Sequence, residues 1–217
     1  MPEKQEKKPP NIWYEGEVYL HDLPEIGKGL RALGRNHPEL KAAHKRIGTL
    51  PWKKQPDDFA GLVYIIIGQQ VSVAAAAHMV ARLHKMTPEI TPRRFLKLDE
   101  ANLREIGLSR QKMAYCRDLA ERIVNKKFRP ADLGGMEDAE AFEALTALKG
   151  IGPWSAEIYL MFSLGRADIW PAGDLGLQAG LQRLRALKTR PDAQKTRKMG
   201  EIWAPYRSAA SLIVWRA

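Results

Sequence analysis

One cysteine, Cys116, stands in a chain of 217 residues, so no disulfide can close within the chain and no iron–sulfur cluster can be held by four cysteines. Histidine is scarce as well. His21, His37, His44, His78 and His84 show no spacing of a zinc site, and neither a catalytic metal nor any other cofactor is expected. No apolar run reaches the roughly 20 residues that a membrane-spanning helix needs, and the N-terminus lacks the apolar core of a secretory signal. The expectation is a soluble, intracellular protein with no membrane partner. Strand-like alternation is almost missing, with Val18 to Leu20 the one tempting candidate. Acid is in deficit: 25 Asp and Glu against 35 Lys and Arg leave a net charge of +10, which favours a polyanionic partner.

What is present is helical periodicity, punctuated by short Gly, Pro and Asn/Asp breaks. Apolar-periodic segments run over Pro24 to Leu33, Pro38 to Ile47, Asp57 to Ile67, Ser72 to Leu83, Pro92 to Leu98, Glu100 to Ile106 and Arg110 to Lys126. Ala139 to Ala147, Trp154 to Leu164, Asp174 to Leu187, Ala193 to Trp203 and Arg207 to Trp215 continue the pattern. An all-α chain is the consequence. Residues 1–11, charged and proline-containing with almost nothing to bury, read as a disordered tail. Positive charge is concentrated between Leu181 and Gly200, where Arg183, Arg185, Lys188, Arg190, Lys195, Arg197 and Lys198 face a single acid, Asp192. A solvated helix face and a polyanion contact both fit that cluster.

The densest chemical signal lies between Leu148 and Asp174, LKGIGPWSAEIYLMFSLGRADIWPAGD. Gly150 and Gly152 bracket Ile151, which gives the turn backbone conformations closed to other residues while Ile151 anchors it. Pro153 suits a first helical position, so the amides of Gly150, Gly152 and Trp154 would face outward at a helix N-terminus, an anion site with Lys149 beside it. With the alanine- and leucine-rich segment before it, the whole is a helix-hairpin-helix. An ordinary glycine turn between two core helices has the same residues. Asp174 follows Pro171, Ala172 and Gly173 and opens the next helix, where aspartate serves well as a cap; a carboxylate so pinned could also do chemistry. Asp168, before the Trp170-Pro171 turn, is its rival.

Leu148 to Ala156 together with Asp174 resembles the helix-hairpin-helix and Gly/Pro-Asp signature of the DNA glycosylase superfamily, and within it the 3-methyladenine DNA glycosylase II (alkylpurine) branch. The resemblance extends to Ile65–Ala76 (IIIGQQVSVAAA), Leu103–Leu119 (LREIGLSRQKMAYCRDL) and Trp203–Trp215 (WAPYRSAASLIVW), and so covers about residues 55 to 215. It implies two helical lobes, 12–57 with 167–217 carrying the catalytic acid and 58–166 ending in the hairpin, with a cleft between them that takes DNA. It also implies a monomer acting in base excision repair, without the N-terminal sheet domain that some members carry.

By the same resemblance Asp174 is the catalytic carboxylate, stabilising positive charge on the sugar or orienting a water as the N-glycosidic bond breaks. Asp168 does not match the signature acid. Members that also cleave the strand place a Schiff-base lysine two residues beyond the second hairpin glycine; here that position is Trp154, which implies a monofunctional enzyme that releases a base and leaves an abasic site. Trp154 and Trp215 match positions near the flipped-base pocket, and Ile158, one turn beyond Trp154, stands where some relatives have a tyrosine. Electron-rich indoles favour a cationic purine such as 3-methyladenine, although neutral lesions stay open, and tryptophans at helical spacing also serve as plain core. The loop of Gln69 and Gln70 resembles the one that enters the minor groove, with Gln70 as the candidate wedge, and Lys149, Gly150 and Gly152 match the phosphate contacts. Two glutamines bonding to backbone would look the same in sequence. A non-catalytic helix-hairpin-helix sensor of damaged DNA would share these features without needing Asp174, and a general RNA-binding module fits less well, since no stacking sheet is visible.

Overall fold

The computed structural model describes residues 18–217, and the tail expected over 1–11 lies outside the described residues. Along the described chain run α1 (Pro24–Asn36), α2 (Pro38–Ile47), α3 (Phe59–Gly68), α4 (Val73–Met86), α5 (Pro92–Phe95), α6 (Glu100–Ile106), α7 (Arg110–Val124), α8 (Asp138–Thr146), α9 (Pro153–Phe162), α10 (Leu175–Leu184), α11 (Ala193–Gly200) and α12 (Arg207–Val214). The fold is all-α, as the punctuation implies. Proline occupies the opening turn of α1, α2, α5 and α9, where its missing N–H costs nothing. Asp58, Ser72, Ser109, Asp174 and Asp192 cap α3, α4, α7, α10 and α11 by accepting a backbone amide of the first turn.

One local expectation is corrected and two details are added. Val18 to Leu20 is not a strand: Tyr19 makes one isolated antiparallel bridge to Lys53, and the chain turns at once into the 3-10 helix Leu20–Asp22, because the helix opened by Pro24 leaves no length for a ladder. The helix after Asp174 stops at Leu184, short of Leu187. Ala186 turns left-handed at φ 47° and the Leu187 amide reaches back to the Gln182 carbonyl at 3.0 Å, a helix-ending closure made without glycine. A 3-10 segment, Pro130–Gly135, lies where no periodicity announced one.

Two of the most deeply buried helices, α3 and α9, act as posts. In α3 every residue from Phe59 to Ile67 is buried, and in α9 every residue from Ser155 to Phe162. Around them α3 packs on α4, α7 and α9, while α8 lies against α9, α6 against α4 and α5 against α7. A second set centres on α12, which packs on α1, α2 and α10. Near it the fully buried Trp203 meets Trp170 edge-on at 5.1 Å. Among the described residues no helix is long and apolar enough to cross a membrane.

The contact of α10 with α12 is close enough to need a missing side chain. A Cβ on Gly180 would stand 1.9 Å from the Val214 carbonyl oxygen, so the two backbones meet there directly. Gly180→Ala is expected to cost about 1–3 kcal/mol through forced separation of these helices. Gly34→Ala, in α1 with nothing within 4 Å of the new methyl, should instead stabilise by about 0.5–1 kcal/mol. Denaturant midpoints of the two variants, moving in opposite directions, check this.

Candidate active site

The hairpin between α8 and α9 is held from inside. Ile151 is buried and its amide donates to the Leu148 carbonyl at 3.1 Å. Gly150 takes φ 82°, and a Cβ there would lie 2.1 Å from Cδ2 of Tyr115, so both the left-handed backbone and the ring of α7 require glycine. Gly152 departs from expectation. Its backbone is ordinary extended chain, φ −88° and ψ 178°, and an added Cβ would meet nothing within 4 Å. What its hydrogen side chain provides is clear space in front of the first turn of α9, whose amides are unsatisfied by nature. The hairpin faces a groove of about 720 Å³, closed on the other sides by Gln69 and Gln70 and by Ser109, Gln111 and Lys112 at the start of α7.

The loop between α3 and α4 is clamped into this groove. Nε2 of Gln69 donates to the Gly150 carbonyl at 2.7 Å and to Ser155 Oγ at 3.0 Å. Nζ of Lys112 donates to the carbonyls of Ile67 and Gln69 at 2.8 and 2.7 Å, and burial draws its pKa below the usual lysine range. Gln69 therefore spends its amide on the hairpin instead of presenting it outward. Gln70 is the exposed tip, at a left-handed φ of 56°, followed by the exposed apolar side chains of Val71 and Val73. Lys149 reaches back to α7, where its ammonium pairs with Asp118 at 3.1 Å. Of the basic cluster, Arg185 is structural: it pairs with Glu39 at 3.1 Å and stacks over Trp203. Lys188, Arg190, Lys195, Arg197 and Lys198 remain exposed.

Asp174 sits at the junction of three helices. Oδ1 accepts the Leu177 amide at 2.7 Å, which caps α10, and the indole Nε1–H of Trp215 at 2.8 Å. Oδ2 accepts the indole Nε1–H of Trp154 at 2.9 Å. Capping and orientation are thus two aspects of one arrangement. The rival acid is engaged elsewhere: Asp168 accepts Nε and Nη2 of Arg207 at 2.7 and 2.8 Å, a two-pronged pair that ties the chain after α9 to the start of α12.

Beside Asp174 opens a cavity of about 230 Å³, walled by Trp52, Trp154, Ile158, Phe162 and Trp215 and rimmed by Gly68, Val71, Val73 and Ala76. Trp154, Ile158 and Phe162 are successive fourth residues on α9 and line one stripe of it. Trp52, Phe162 and Trp215 form an aromatic corner, with ring centroids 5.5 to 5.9 Å apart. Sequence reasoning found Trp154, Ile158 and Trp215 but missed Trp52 and Phe162. Extending the i, i+4 stripe by one more step would have reached Phe162. Trp52, in an irregular stretch before α3, had no such signal. The indole N–H groups of Trp154 and Trp215 are spent on Asp174 and that of Trp52 donates to the Leu212 carbonyl at 3.2 Å, so the three tryptophans wall the cavity with their N–H donors already engaged.

Each indole bond to the carboxylate is expected to be worth about 1–3 kcal/mol, as a hydrogen bond to a charged group. Trp154→Phe and Trp215→Phe should each destabilise the wild type by that order and do so much less in an Asp174→Ala background; equal losses in both backgrounds, by denaturant titration, would show that the bonds carry no weight.

Comparison with known proteins follows the same outline. The family described as HhH-GPD superfamily base excision DNA repair protein matches residues 63–205. The structure of Schizosaccharomyces pombe 3-methyladenine DNA glycosylase in complex with abasic DNA superposes with a TM-score of 0.79 at 28% identity, over 87% of this chain and 95% of that one. That of DNA-3-methyladenine glycosidase from Bacillus halodurans gives 0.74 at 33% identity, over 91% and 90%. The Bacillus subtilis protein YfjP is 34% identical over 126 residues, 58% of this chain, which spans 44% of the length of YfjP. With the family match extending over well more than half of its residues, from within α3 to the approach of α12, the chain belongs to the HhH-GPD superfamily of base excision DNA repair proteins.

Proposed function

We propose that the protein is a monofunctional DNA glycosylase that takes an alkylated purine such as 3-methyladenine out of duplex DNA and hydrolyses its N-glycosidic bond, leaving an abasic site. The observation that carries this reading is the Asp174 carboxylate, fixed by two indoles and a backbone amide at the edge of an aromatic cavity. The names of the two solved relatives, a 3-methyladenine DNA glycosylase and a DNA-3-methyladenine glycosidase, support the same substrate class.

In this reading the first turn of α9, with the amides of Gly150 and Gly152, holds a DNA phosphate, and Lys149 adds charge at the rim. Gln70 at the exposed loop tip fills the gap left by the extracted base, while Gln69 braces that loop against the hairpin. The lobes are 12–57 with 167–217, of which 12–17 lie outside the described residues, and 58–166, and DNA lies across the cleft where the hairpin and Asp174 meet.

The base enters between Trp52, Trp154, Ile158, Phe162 and Trp215. Because the indole donors are already bonded, the pocket selects by stacking and by attraction of a cation to electron-rich faces, not by reading a hydrogen-bonding edge. Cleavage sends the C1′–N electron pair to the base, which leaves neutral if it was cationic. Positive charge gathers on the sugar facing Asp174, and a water adds to C1′ and gives up its proton to the carboxylate or solvent. A cationic leaving group explains why one acid suffices; a neutral lesion would need further help.

Methylated duplex DNA, with no metal added, is expected to lose free 3-methyladenine to the wild type, whereas Asp174→Asn should bind the same DNA and release base at least ~100-fold more slowly. Near-normal release by that variant would reject Asp174 as the catalytic acid. Tight binding to damaged DNA without release of any base, alkylated or neutral, would instead mark a non-catalytic sensor. Borohydride treatment during turnover should trap no covalent adduct, since the lyase position holds Trp154.

A further inference from the structure

A second carboxylate stands close to this site with no part in the steps above. Glu157 lies on α9 three residues after Trp154 and one before Ile158, and only 9% of it is exposed. A buried carboxylate is ordinarily met by several donors. The cation paired with Glu157 is Arg197, whose Nη2 stands 3.8 Å away, an attraction across a gap and not a hydrogen bond. Arg197 belongs to α11 and its side chain is otherwise mostly in solvent.

The other charge acting on Glu157 is Asp174, whose Oδ2 is held by the indole one helical turn before Glu157. Burial raises the carboxyl, Arg197 draws it back and Asp174 pushes it up again, to about 7. Other charged groups near α9 act elsewhere on it or lie in solvent. At the start of α3, Asp57 and Asp58 act on Tyr159, two residues beyond Glu157. Within α3 Tyr64 is bonded to His84 at 2.6 Å; on α8, Glu140 and Glu143 are exposed and Asp138 pairs with Arg166; on α11, Lys195 and Lys198 are exposed.

We propose that Glu157 is a positioning residue for base excision: ionised, and governed by Arg197, it deepens the negative potential around Asp174 and so speeds formation of the sugar cation. The inference rests on Asp174 being the catalytic anion. Glu157 is not part of the cavity wall, so it acts through the field and not by protonating the base. A neighbouring unit charge in a protein interior is worth on the order of tenfold in such a rate. The cost appears in stability. With its folded pKa raised above the model value of 4.5, Glu157 contributes stability that is complete below that value and is lost as pH rises through about 7.

Single-turnover release of 3-methyladenine from methylated duplex DNA, measured from pH 5.5 to 9, tests this. The wild type should quicken about tenfold with a midpoint near 7. Glu157→Gln should remove that rise, Glu157→Asp should keep one, and Arg197→Gln should move the midpoint upward. Thermal melts provide a second readout, since Glu157→Gln should gain stability relative to wild type at pH 8 and not at pH 5. An unchanged profile in Glu157→Gln, beside a wild type that excises and an Asp174→Asn variant that does not, would overturn the role of Glu157 alone. No release by the wild type would overturn both readings.

Discussion

A carboxylate cannot be drawn into a half-buried position between helices unless donors replace its water, and Asp174 has three of them from three places in the chain. The Leu177 amide comes from the helix that the residue itself begins, Trp154 from the helix after the hairpin, and Trp215 from the end of the last helix. These bonds align α9, α10 and α12 around one point. They also engage the N–H donors of two indoles that line the cavity. The chemistry of the pocket and the joining of its walls are consequences of the same bonds.

Support for that point comes from the two buried posts. Because α3 and α9 are buried along nearly their whole length, neither can rotate without exposing core, and the features attached to their ends inherit that rigidity. The loop leaving α3 is fixed by Gln69 and Lys112; the hairpin entering α9 is fixed by Ile151 and by the contact of Gly150 with Tyr115. The groove between them is therefore preformed. A ligand that binds there would not have to organise it, which keeps the entropic cost of recognition low.

Most helices were legible because their starts are written in short-range chemistry: proline in the first turn, or Asp and Ser as caps, ahead of an apolar stripe. Ends were harder to read. The stop after Leu184 depends on a left-handed alanine, a choice that no propensity announces. At the site, residues within one motif or on one helix stripe could be found from spacing, whereas Trp52 joins the pocket only through tertiary packing against Phe162 and Trp215. The same limit applies to Gln69, Lys149 and Asp168. Sequence shows that each is polar; the partner that occupies it, Gly150, Asp118 or Arg207, lies elsewhere in the chain. Glycine is ambiguous in the same way, since Gly150 answers to a ring from α7 and Gly152 to empty space.

Trp154 has a double employment that bears on how such a scaffold could change. Its ring walls the cavity while its N–H holds Oδ2 of Asp174. Placing a lysine there to gain an amine nucleophile would, in the same step, remove the donor that aims the carboxylate and open the aromatic wall. On this framework a change at Trp154 is therefore never a change of one feature alone: Oδ2 of Asp174 would need another donor and the cavity another wall before a different side chain could stand there.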